Sequence, residues 1–213
     1  MPLTRERPFS RTYYSAEIGT YHVSRFMDGS ASMTASELQR EWPAWTEYQR
    51  LDFCNNCSWL FRQSDFPEML RFIMQHGSPH DWSPIAGSVA SQLPCDEAFR
   101  VLLGALQGVE IGNCSNIAQG IALTKHPNAE ATLRRHLQAV WEHQALWDDA
   151  DFTNWVALDA TSCIAHLIEL GAPVADFEEQ AGRLSRHVCF KNRESCRNYL
   201  SKHYAWLNTK EQP

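Results

Sequence analysis

Ser83-Pro84-Ile85-Ala86 opens the stretch on which the fold turns, residues 83–137, because that stretch says the same thing twice. An apolar helical pattern runs from Ile85-Ala86 to Pro94, and Glu97-Ala98 then opens a second one. Ser115-Asn116-Ile117-Ala118 starts the pattern again and leads to Pro127, followed by Glu130-Ala131. The spacing of about 32 residues is that of a helical-repeat array, in which one helix pair cannot bury its apolar face alone.

The same logic extends to both sides. Upstream, Thr34-Ala35-Ser36-Glu37 fits a capping box, and a longer helix is expected over about 46–61. Asp65 is expected to cap a helix that Gly77 ends. Downstream, helices are expected at about 81–92, 95–107, 114–125, 128–146, 150–170, 174–188 and 192–207, with Gly171-Ala172-Pro173 ending the longest. Residues 1–33 break the pattern: Tyr21, Val23 and Phe26 lean towards β structure and Asp28-Gly29 signals a turn. An extended arm or small hairpin is expected there, then a helical-repeat domain over 34–207 and a short tail over 208–213. The class is all-α.

The Ile-Ala helix, proline, Glu-Ala helix order resembles the short HEAT-like repeats of α-solenoid proteins, over residues 65–137 and more loosely over 150–207. That resemblance implies a short right-handed α-solenoid of stacked antiparallel helix pairs. One set of its helices would line a concave face that serves as a platform for a protein, peptide or nucleic acid. It specifies architecture and carries no chemistry.

Composition narrows the function. Hydrophobic residues make up 44% and charged residues 21%, which excludes wholesale disorder. No apolar run reaches the roughly 20 residues that a membrane-spanning helix needs, and no secretory signal follows Met1. A cytoplasmic protein without a membrane partner is expected. Seven cysteines, at 54, 57, 95, 114, 163, 189 and 196, mostly lie among Ala, Ile and Leu, where a free thiol behaves as a small core residue. Eight tryptophans is a high count; Trp42, Trp45 and Trp147 stand in polar or loop-like contexts.

The net charge of −6 is unevenly spread. Residues 148–182 carry Asp148, Asp149, Asp151, Asp159, Glu169, Asp176, Glu178 and Glu179 and no Lys or Arg, whereas residues 183–213 are basic. The two segments either pair with each other or meet a basic partner or a second chain. Trp141, Trp147 and Trp155 bracket the densest acidic run. Some HEAT-like DNA glycosylases set tryptophans and a carboxylate around a lesion in similar outline. They need a basic groove for phosphates, and this region is the most acidic of the chain.

Two constellations carry potential chemistry. Cys54, Cys57, His76 and His80 follow a Cys-x2-Cys … His-x3-His order that suggests zinc. The gap between Cys57 and His76 holds most of a separate helix, and packing of the two cysteines in a core is the better reading. Asp159, Cys163 and His166 share one helical face, as a nucleophile, base and orienting carboxylate would, yet one straight helix rarely converges three groups on a substrate. No motif calls for a cofactor.

The expectation is a non-enzymatic protein-binding scaffold that engages a basic protein or peptide through Trp147, Asp148, Asp149, Asp151, Trp155 and Asp159. One concrete form is an immunity or antitoxin protein that occludes a basic toxin. The alternatives are a HEAT-like enzyme acting on nucleic acid and head-to-tail self-association of acidic and basic ends.

Overall fold

The computed structural model describes residues 34–56, 65–143, 155–187 and 194–208. The expected arm over 1–33 and the tail lie outside them, apart from Asn208. Among the described residues there are ten α-helices and no strand, so the chain is all-α. They are α1 (Ala35–Glu41), α2 (Glu47–Asn56), α3 (Phe66–His76), α4 (Pro79–Gln92), α5 (Cys95–Gly108), α6 (Ser115–Thr124), α7 (Ala129–Glu142), α8 (Trp155–Glu169), α9 (Glu178–Ser185) and α10 (Glu194–Ser201). No helix among them is long and apolar enough to cross a membrane. The chain divides into two compact units, Met1–Gln92 and Leu93–Pro213.

In the first unit α4 packs on α2 and α3, and α3 on α1. Thr34 caps α1 as its sequence demands: its hydroxyl accepts from the Glu37 N–H at 3.2 Å, and the Glu37 carboxylate accepts from the Thr34 N–H at 2.9 Å. Trp42 and Trp45, which stand in polar or loop-like sequence, are core residues. Trp42 sits 5.7 Å from Trp45 and 6.1 Å from Phe72, and Trp45 lies 5.2 Å from Phe53. Such rings bury large areas and here pack on one another as an aromatic cluster.

Two helix ends differ in detail from expectation. Asp65 is the N-cap of α3, but its side chain makes no capping bond. Gly77 does end α3, though not through a left-handed turn, since its φ is −82°. Glycine is needed there because a Cβ would fall 2.6 Å from the Ile73 carbonyl oxygen.

The second unit is organised around α8, which packs on α6, α7, α9 and α10. Residues Val156 to Leu167 are all buried, the pattern of a helix enclosed on every side. Gly171, at φ +104°, closes it. Its N–H bonds to the Ile168 carbonyl at 2.9 Å and that of Ala172 to the Leu167 carbonyl at 3.0 Å, a Schellman ending that only glycine enters without strain.

The repeat spacing meets a correction in burial. Ile85, Ala86 and Val89 are fully buried and so are Ile117, Ala118 and Ile121, which keeps the first match. In the second match Ala98 is buried but Ala131 is exposed, and Ala129 takes its place in the core. Ala98 and Leu102 therefore correspond to Ala129 and Leu133, two residues out of step with the Glu-Ala letters.

Candidate functional site

The polar groups of the second unit gather along α8. Asp159 has no exposed surface. Its carboxylate Oδ2 accepts from the Gly112 N–H at 2.7 Å, and both oxygens accept from the Cys114 N–H at 3.1 Å. The loop before α6 is thus stapled to the middle of α8. Burial pushes the Asp159 carboxyl up to about 6, although the hydrogen bonds from Gly112, Cys114 and Ser115 pull the other way.

Gly112 lets the loop reach the staple. Its φ is +109°, and a Cβ would stand 3.4 Å from the Trp155 Cβ and 3.6 Å from Val156 Cγ2. Gly112→Ala is expected to cost about 1–2 kcal/mol of stability, mainly through backbone strain, as read by urea unfolding. An unchanged midpoint would mean that the loop relaxes to an ordinary φ.

The Asp159–Cys163–His166 face gains no support as a nucleophilic set. Cys163 is fully buried and burial drives its thiol well above the usual range, with Asp159 and Cys114 adding to the effect. The Asp159 oxygens already hold loop N–H groups rather than orienting an imidazole. A thiol kept protonated and out of solvent is an inert one.

His166 has a separate setting. Its Nδ1 lies 2.7 Å from Glu169 Oε2, its Nε2 is buried without a partner, and its ring meets Tyr199 edge-on at 5.6 Å. His166 and Glu169 line a pocket of ≈520 Å³ with Gln119, Leu123, His126 and Glu130. Close by, His126 stacks on Phe99 at 3.9 Å, and Arg134 ties Glu130 (2.8 Å) to Asp176 (3.0 Å).

The short His166–Glu169 contact would by itself favour the imidazolium. Burial outweighs it, with Lys202 and His203 helping, and lowers the His166 pKa below 6.5. His136 is lowered too, by burial. A histidine that resists protonation in the folded state stabilises fully above its unfolded pKa and loses that contribution as pH falls. The two histidines therefore withdraw stability below pH 6.5 while Asp159, with its carboxyl raised to about 6, adds some back, and His166→Gln is expected to lessen the acid loss relative to the parent chain. Urea titrations at pH about 7.5 and about 5.5 would read it. An equal acid loss in the variant would assign the decline elsewhere.

The residues expected at a partner surface are split by the structure. Trp155, the first residue of α8, is 52% exposed. Asp159 is buried and stapled, so it offers nothing to a partner; a helix enclosed on all sides hides even a charged residue when backbone donors satisfy it. Trp147, Asp148, Asp149 and Asp151 lie outside the described residues. Asp176 pairs with Arg134 of α7 rather than with the basic C-terminal segment, and Arg183 stands 5.2 Å over the Trp141 ring.

The zinc order at Cys54, Cys57, His76 and His80 gains no geometric support among the described residues. Cys54 is buried, His76 and His80 are exposed, and Cys57 lies outside the description. A different trio does converge: Cys114, His136 and Asp159 bring one potential ligand atom each to within 4.8 Å of one another. No spacing motif announces it, because the three come from a loop and two different helices. No known protein family, curated protein or solved structure matches the chain.

Proposed function

We propose that the chain is a non-enzymatic binding protein, built as a HEAT-like right-handed α-solenoid, that engages a basic protein through Trp155 and the acidic residues just before it. Packing of successive helices α5, α6, α7 and α8 on one another supports the solenoid reading. The observation that carries the binding reading is Trp155. Every residue from Val156 to Leu167 is buried, yet the tryptophan that opens the same helix is half in solvent. A large exposed aromatic that follows Asp148, Asp149 and Asp151 within a few residues of sequence joins a short-range anchor to a charge that attracts cations at longer range. An immunity or antitoxin protein that occludes a basic toxin is the concrete form this takes.

The test is capture of a basic protein from the source lysate on the tagged chain, compared with Trp155→Ala and with an Asp148→Asn/Asp149→Asn/Asp151→Asn variant. Retention that weakens with salt and is lost in both variants supports the surface. Retention that both variants keep, or a rise in mass with concentration and no foreign protein, refutes it.

The second reading is a HEAT-like enzyme acting on nucleic acid, and the ≈520 Å³ pocket beside His166 is what favours it. Its wall carries two carboxylates, Glu130 and Glu169, against one cation, Lys125, a poor match for a phosphate backbone, so the binding protein is preferred.

A further inference from the structure

We propose that Cys114, His136 and Asp159 form a structural site for a divalent transition-metal ion of the zinc class. Their ligand atoms lie within 4.8 Å of one another, and ligands of a tetrahedral zinc ion stand roughly 3.5 Å apart, so closure needs only a small contraction. Cys114 and Asp159 have no exposed surface and His136 is half-buried, so three protein ligands would hold the ion from inside the fold and leave its fourth position to a water.

The donor set selects the ion. One sulfur, one imidazole nitrogen and one carboxylate oxygen suit zinc, whereas calcium and magnesium take oxygen alone. Thiolate, carboxylate and neutral imidazole balance a divalent cation to zero net charge, the state that a buried site tolerates best. The Cys114 thiol donates to the Glu110 carbonyl at 3.5 Å and would give up that proton on binding the metal. His136 Nε2 is buried with no hydrogen-bond partner. The Asp159 carboxylate accepts from the loop N–H groups of Gly112, Cys114 and Ser115, and would share an oxygen between these donors and the metal as ligating carboxylates do.

The ion would complete what Asp159 begins. The carboxylate ties the loop before α6 to α8, and a metal at this point would tie both to α7. Binding free energy at such a site is folding free energy, so the metal would stabilise the second unit.

The experiment uses the chelator-stripped full chain, titrated with Co²⁺ and with Zn²⁺ alone. One Co²⁺ per chain with thiolate-to-cobalt charge-transfer absorption is expected, and Zn²⁺ should displace it and raise Tm. Cys114→Ser and His136→Phe should each weaken binding by more than the roughly 10–100-fold that even an outer-shell loss costs. Cys54→Ser should leave it unchanged. Because Cys114 is fully buried, circular dichroism decides whether its variant is folded, and His136→Phe carries the test if it is not. Absence of the charge-transfer band, or a band that survives in both folded variants, overturns the site.

Discussion

Asp159→Ala should lower the unfolding free energy by about 3 kcal/mol or more, the largest loss expected from any single polar residue of the second unit. The carboxylate is the acceptor for two buried backbone N–H groups, those of Gly112 and Cys114. Each donor left unpaired inside the protein costs roughly 1–3 kcal/mol. Against this stands the cost of burying the carboxyl, visible in a pKa pushed up to about 6. That cost offsets part of the loss but cannot cancel two orphaned donors and the gap left by the side chain. Asp159→Asn should lie between, since its amide keeps one acceptor oxygen and turns two N–H donors towards others. Urea unfolding in the presence of a chelator isolates this effect from any metal. A loss under about 1 kcal/mol would show that the loop finds water or another acceptor.

The staple also shows why sequence reading reached the helices and missed the centre. Periodicity reports which face of a helix is apolar, and Ile85, Ala86, Ile117 and Ala118 are all buried as their spacing demands. Gly171 could be placed because a helix end is a local event, decided by backbone conformation within a few residues. The Glu97-Ala98 and Glu130-Ala131 match failed for the opposite reason. Exposed letters repeat without constraint, whereas the buried register set by Ala98, Leu102, Ala129 and Leu133 does not slip.

Charge misled in a similar way. An acidic residue in an acidic stretch reads as surface, and Asp159 stands in one stretch with Asp148 and Asp149. Its neighbours give the better signal, for Val156, Ala157, Leu158, Ala160, Ile164 and Ala165 make most of the helix surface around it apolar. A carboxylate inside such a run must find donors, and here they come from Gly112 and Cys114, more than 40 residues earlier. Cys114 and His136 were equally hidden, because convergence from separate elements leaves no spacing to recognise. Cys54 and Cys57 have the spacing, but Cys54 is buried while His76 and His80 are exposed.

Trp155 supplies the sharpest test of function. If it anchors a basic partner, Trp155→Ala should weaken that complex by about 2 kcal/mol or more, roughly 30-fold in Kd, and chiefly by speeding dissociation. Aromatic anchors act at short range, where they exclude water, so the association rate should change little. The acidic residues should divide the effect the other way. Neutralising Asp148, Asp149 and Asp151 should slow association and flatten its salt dependence while the dissociation rate changes less. Trp206, 39% exposed, serves as a control for loss of an exposed tryptophan, and Trp206→Ala should leave both rates unchanged. Stability should hold within about 1 kcal/mol in Trp155→Ala, because half of the ring is already in solvent. Surface-resonance kinetics with the captured partner would separate the two rates. An unchanged dissociation rate in folded Trp155→Ala would remove this residue from the interface and the binding reading with it.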